Sequence, residues 1–239
     1  MRKIIALFAF AVIGAATLSA QPILTPYQYR NRIFLAVQGG PSLFVSEYCN
    51  TFSNHGRGGS LFAPYGEVSL GYYFTDAHII RVSVGYDKKN AALPPSGGFF
   101  PYSFHSANLF VDYMLNYNAL EEVNVPFNVM LYVGLGGGFT AGFSEPEYIL
   151  NNPETQTVEE VKAWLPTVNP INVVPGIRVG MLFEYDLPNN LGFLFDLGAE
   201  AFTDTYNGLE PDTFPLDLQV NATFGLVYHF GKAKIVTMY

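Results

Sequence analysis

The stretch LDLQVNATFGLVYHF, residues 216 to 230, alternates apolar side chains with mostly polar or small ones along its whole length. Successive side chains of an extended chain point to opposite faces, so this is a two-faced ribbon, longer than an average strand requires. Seven more segments alternate in the same way between turn signals: IFLAVQGG (33 to 40), YGEVSLGYYF (65 to 74), IIRVSVGYD (79 to 87), SANLFVDYMLNY (106 to 117), NVMLYVGLGGGFTAGF (128 to 143), GIRVGMLFEY (176 to 185) and LGFLFDLGAEAF (191 to 202). Alternation alone leaves open which face is wet. A soluble barrel of lipocalin type buries the apolar face, whereas a membrane barrel turns it to lipid.

Composition separates the two. Charged residues make up 13% of the chain and aromatics 16%, too few charges to cover a soluble surface. Beyond the N-terminal run, no apolar stretch approaches the length of a membrane helix, so low charge points to strands. On one face stand residues such as Val68, Leu70, Val82, Val84, Leu109, Val111, Leu131, Val133, Ile177 and Val179; on the other, small residues mix with charges. No Lys falls within the eight segments. A small-residue face suits the narrow interior of an eight-stranded barrel, whose width its own side chains fill. The expected fold is therefore all-β: an eight-stranded antiparallel up-and-down transmembrane β-barrel with its apolar face toward lipid. Tyr72, Phe74, Tyr113, Phe183, Tyr185, Tyr228 and Phe230 lie near strand ends, where aromatic girdles belong.

The links fit this reading. Those after the first, third, fifth and seventh segments are long, and those after the second, fourth and sixth are short. An up-and-down barrel then gathers long extracellular loops at one rim and short periplasmic turns at the other. The opening MRKIIALFAFAVIGAATLSA has a basic start, an apolar run and small residues before Gln21, which reads as a secretory signal peptide cleaved after Ala20. The expected organisation is residues 1 to 20 signal peptide, 21 to 32 periplasmic segment, 33 to 230 outer-membrane barrel and 231 to 239 tail.

The signal peptide, the eight alternating segments and the closing FGLVYHFG resemble small eight-stranded outer-membrane barrels of the OmpA type, in the variety common in Bacteroidota. The likeness covers most of residues 33 to 230. It implies residence in the cell outer membrane, contact with lipid and lipopolysaccharide, and insertion by the barrel-assembly machinery, which reads a final strand with aromatics such as Tyr228 and Phe230. The tail GKAKIVTMY runs beyond Phe230 and ends in Tyr239, a second candidate for the end of that signal. The resemblance supplies no activity.

Chemistry is concentrated on the inward face. Glu67, Arg81, Asp112, Arg178, Glu184, Asp196 and Glu200 all point there. Counted from the periplasmic turns, Arg81, Asp112, Glu184 and Asp196 lie low, and Glu67, Arg178 and Glu200 lie higher, predicting two tiers with one Arg each. Charges in an enclosed site need partners, so each Arg should bridge carboxylates. This reads as a plug, in a protein with a structural or surface-interaction role; the alternative is a small channel favouring cations, because carboxylates outnumber Arg. A lipid-modifying enzyme is the other alternative. His105 and Ser106 are adjacent, however, so on a strand they face opposite ways, and Asp112 lies too far along to orient the imidazole. No catalytic role is expected.

The net charge of -8 and the absence of a basic cluster exclude a nucleic-acid footprint. Cys49, with only His55 nearby, forms no metal-ligand set, and no metal or cofactor is expected. In the long link 144 to 170, Thr157 and Glu160 have the spacing of a capping box. Trp164, the only Trp, would project from that segment as a contact for an extracellular partner.

Overall fold

The computed structural model describes residues 27–28, 33–46, 62–93, 98–121, 126–146, 149–150, 154, 157–163, 167–187, 190–209, 216–230 and 234–235. Eleven strands are found among them: β1 (Tyr27–Gln28), β2 (Ile33–Val45), β3 (Phe62–Tyr73), β4 (His78–Leu93), β5 (Gly98–Asn116), β6 (Phe127–Ala141), β7 (Ile149–Leu150), β8 (Ile171–Asp186), β9 (Leu191–Thr203), β10 (Leu216–His229) and β11 (Lys234–Ile235).

Eight of them pair antiparallel in the order β4, β3, β2, β10, β9, β8, β6, β5, and β4 also pairs with β5, which closes the sheet. Through the middle of the barrel, closure gives each strand a hydrogen-bonded neighbour on both sides; above Asp87 the β4 ladder is paired with β5 alone. The closing seam between β2 and β10, the first and last strands of the barrel, runs from Leu218 opposite Val45 to His229 opposite Phe34. Beyond the barrel, β1 pairs with β11, joining the two terminal segments of the chain.

Burial alternates along every barrel strand, and the side that faces inward is the one that carries the charges. Outward stand Val68, Leu70, Val82, Val84, Leu109, Val111, Leu131, Val133, Leu135, Val179, Val220, Phe224 and Leu226, all substantially exposed. A continuous exposed apolar band around a closed barrel with a polar interior is the arrangement of a transmembrane β-barrel. No helix among the described residues is long and apolar enough to cross a membrane. The spanning elements are the strands.

Several strands run further than their alternation suggests, with β2 reaching Val45 and β8 starting at Ile171, and the β4–β5 hairpin extends furthest. β4 continues from Asp87 to Leu93 and β5 begins at Gly98 rather than Ser106, one ladder extending from His78 opposite Leu115 to Leu93 opposite Phe100. Lys88 and Lys89 therefore lie in a strand, contrary to the expectation that Lys would be confined to loops. The physical reason is that this hairpin rises above the apolar band, where a strand's outer face meets water. The outward Lys88, Asn90 and His105 are exposed, while Lys89, Ala91, Phe100, Tyr102 and Phe104 are buried inside.

The interior is layered. Near the short-turn rim, Phe34, Ala36, Tyr73, Ile79, Met114, Met130, Leu182, Leu194 and Val227 form an apolar layer. Near the long-link rim a second apolar layer holds Phe44, Phe100, Tyr102, Phe104, Phe110, Phe202 and Tyr206. The polar groups lie between the layers and below the lower one. Alternation predicted small and charged inward residues; the large apolar ones are a finding of the structure.

The long links help to cover that upper layer. Tyr206, just after β9, turns back into the barrel, with its ring 4.1 Å from that of Phe202 and parallel to it within 4°. Its hydroxyl donates to Asn108 Oδ1 at 2.8 Å. Tyr102 donates to the Asn207 carbonyl at 2.8 Å. The capping box expected at Thr157 is present and starts the helix Val158–Lys162, whose Val161 joins the upper layer.

Candidate functional site: the charged interior

Six of the seven predicted interior charges meet in one cluster rather than two tiers. Arg81 on β4 donates from Nε to Asp112 Oδ2 at 2.7 Å and from Nη1 to Asp196 Oδ2 at 3.0 Å. Arg178 on β8 donates from Nε to Asp112 Oδ1 at 2.7 Å and from Nη1 to Glu67 Oε2 at 2.8 Å, and its Nη2 pairs with Asp112 and Ser83. Glu200 stands 3.9 Å from Arg178 Nη1 and accepts from Asn108 at 2.9 Å and Asn221 at 3.0 Å. Counting residues from the rim presumes strands parallel to the axis. Strands of such a barrel tilt by roughly 35–45°, so equal counts on different strands do not mean equal height.

The cluster spans the lumen. In the ring order, β4 and β9 are diametrically opposed, and so are β8 and β3. Arg81 thus reaches across to Asp196 and Arg178 reaches across to Glu67. Asp112 holds both guanidiniums. Its position depends on a glycine: on β6, Gly134 sits between Asp112 and Arg178 in the ladder, and a Cβ there would overlap Asp112 Oδ1. The absent side chain lets two groups on next-but-one strands touch. Aromatic faces complete the packing, with Arg81 Cζ 4.5 Å from the Tyr132 ring centre and Arg178 Cζ 4.8 Å from that of Phe110. Tyr132 and Tyr65 donate to Asp196 at 2.7 Å and Glu67 at 2.8 Å.

Above this cluster lies an ion pair not anticipated from the sequence. Fully buried Lys89 contacts Asp87 Oδ1 at 2.5 Å and donates to Ser106 Oγ at 3.0 Å, while Ser42 donates to Asp87 Oδ2 at 2.8 Å. The signal that could have found it is the Asp87, Lys89, Ala91 spacing, which keeps β4's inward parity beyond the apolar band. Ser106 is thus engaged inside, while His105 outside stacks on Tyr86 with Nδ1 2.7 Å from its hydroxyl. The two adjacent side chains point to opposite faces, as their spacing predicts.

Glu184 lies apart from the arginines. It meets His229 Nε2 at 2.5 Å near the short-turn rim, where Asp186 is also buried and accepts from Asn128 at 3.0 Å. Spacing gave no hint of this group, because Glu184 and His229 are 45 residues apart and on different strands.

The aromatic residues expected at strand ends all face outward toward the short-turn rim. Tyr72 meets Phe74, and Tyr228 meets Phe230, each pair edge to face at 5.1 Å. Phe183 stacks between Phe127 and Phe195 at 5.9 Å on either side. Tyr113 bonds His78 at 2.6 Å, and Tyr185 is exposed opposite Phe127 and Phe193. Trp164, Cys49, His55 and Tyr239 lie outside the described residues.

No family model matches the chain, and no curated protein matches its sequence. Among solved structures it is similar to Ail, the attachment invasion locus protein of Yersinia pestis, solved with the heparin analogue sucrose octasulfate (13% identity, 84% of this chain and 99% of that one, TM-score 0.46). It is also similar to a major outer membrane protein of Thermus thermophilus (16% identity, 83% and 98%, TM-score 0.47). A third is OprG of Pseudomonas aeruginosa (12% identity, 85% and 98%, TM-score 0.45). These are small outer-membrane β-barrels, and the closed eight-strand ring described above is an architecture of that kind.

Proposed function

We propose that the chain is an integral outer-membrane protein whose barrel is a sealed scaffold, with a structural or surface-interaction role carried by the long links. The observation that carries this reading is the two guanidiniums crossing the lumen to opposite strands, between apolar layers above and below. An ion following the axis would have to pass both a salt-bridged cross-brace and two layers of packed side chains. Partners follow from the surfaces: lipid and lipopolysaccharide against the apolar band, the assembly machinery at the end of β10, and an extracellular molecule at the links. The bonding of Ser106 to Asp87 and Lys89 beneath aromatic side chains favours a non-catalytic role.

Single-channel recording in planar bilayers tests the seal, and no steady conductance is expected. Cation-selective openings lost on replacing Glu67 or Glu200 would establish the channel reading instead. Residence is tested by heat-modifiable migration of unboiled protein and partition into detergent; protein that stays in the aqueous phase would overturn it. The surface role is tested by comparing captured partners with and without residues 145 to 169.

A further inference from the structure

We propose that Glu184, Asp186 and His229 form a divalent transition-metal site at the periplasmic rim of the barrel, suited to Zn²⁺. One donor atom from each lies within 4.8 Å of the others, and all three residues are buried. An imidazole with two carboxylate oxygens is a nitrogen and oxygen set that Zn²⁺ accepts, with water completing four-coordination. The proposal stands apart from the question of conduction, because it concerns a different level of the interior.

Three further observations favour an ion here. The first is charge. The rim group brings two buried carboxylates together around a single imidazole, and a divalent ion held among them would offset their negative charge.

The second is the space between the donors. Glu184 and Asp186 are on β8 and His229 is on β10, with β9 between them. The β9 residue at that level is Gly192, opposite Asp186 on one side and Val227 on the other. A Cβ on Gly192 would lie 3.0 Å from Glu184 Oε1 and 2.8 Å from Val227 Cγ1. Its absence lets β8 and β10 donors meet across the intervening strand, as Gly134 does for Asp112 and Arg178.

The third is orientation. Asn128 donates to Asp186 Oδ2 at 3.0 Å and accepts from Asn116 at 3.1 Å, the kind of outer hydrogen bonding that holds a ligating carboxylate. The rings of Phe34 and Tyr73, 5.9 and 5.8 Å from the imidazole, wall it against the apolar layer. Bound metal would tie β8 to the last barrel strand beside the closing seam. It would take the place of the direct contact between His229 Nε2 and Glu184 Oε1.

The test uses the full chain folded in detergent, stripped by chelator and titrated with Zn²⁺ against a chromophoric chelator, then with Co²⁺ followed by visible absorption. One equivalent should bind, with the ligand-field bands of mixed nitrogen and oxygen coordination. His229→Gln and Glu184→Gln should each weaken binding more than about tenfold, and Gly192→Ala should do so without removing any donor. His78→Gln and His105→Gln should leave the affinity unchanged. Folding of each variant is checked by heat-modifiable migration. If His229→Gln does not fold, Asp186→Asn, which keeps side-chain size and an oxygen for Asn128, carries the same expectation. Absence of binding by the folded wild type, or binding of equal strength in the folded Glu184→Gln and Asp186→Asn variants, would overturn the site.

Discussion

The hairpin of β4 and β5 passes through two environments with one unbroken ladder. Up to Asp87 and Ser106 its outward residues are Ile80, Val82, Val84, Tyr86, Leu109, Val111 and Tyr113, and Arg81, Ser83, Asn108 and Asp112 face in. Beyond that level Lys88 and Asn90 face out, and Ala91, Phe100, Tyr102 and Phe104 face in. Register and parity stay the same while the large apolar side chains change from the outer face to the inner, where Lys89 is buried among them. Tyr86 and His105, bonded to each other on the outside, mark the change. The difference teaches that a strand's polar face is set by what surrounds the barrel. Inside lipid the apolar side must be outward; above it the hydrophobic effect draws the same kind of side chain inward.

Removing the centre of the lower region should have the largest effect. Asp112→Ala leaves both guanidiniums without their shared carboxylate and should cost about 3–5 kcal/mol, read as a lowered urea midpoint for the barrel folded in detergent. A loss under about 1 kcal/mol would show that the cross-brace is not what holds this level together. Next, Val84→Arg and Asn90→Arg place the same charge on the outer face of β4 at two heights. The first should cost about 2–4 kcal/mol in refolding into liposomes, and the second no more than about 0.5 kcal/mol. Equal costs would abolish the boundary drawn at Tyr86 and His105. Smallest of the three, Thr157→Ala removes the cap from the helix Val158–Lys162 and should cost about 1 kcal/mol locally. It should quicken proteolysis within residues 144 to 170 and leave the barrel's unfolding midpoint unchanged.

The sequence shows the lower region far better than the upper. At Val82, Val84, Leu109 and Val111 the outer face is uniformly apolar, so period 2 is plain and each face is identified by composition. At Lys88, Lys89 and Asn90 the polar residues fall on both faces, and alternation disappears although the strand continues. Parity is still readable there, because Asp87, Lys89 and Ala91 keep the inward phase of Arg81 and Ser83. Phe100, Tyr102 and Phe104 keep the phase of Asn108 and Asp112. The interior charges could be named from the sequence because each sits on the inward phase of its own strand. Their grouping could not, since strand tilt and neighbouring glycines decide which of them meet.

The amino-acid sequence alone determined the barrel class, the eight strands of the ring and the faces of the residues within the apolar band. These are local consequences of a two-residue repeat and of a composition too poor in charge for water. Tertiary structure alone decided that Asp112 joins Arg81 to Arg178, that Tyr206 enters the barrel mouth, and that Glu184 and Asp186 stand with His229. Each of those contacts joins strands distant in sequence or bridges a neighbouring strand across a glycine. Only closure of the ring, with its tilt and register, brings such residues to the same height.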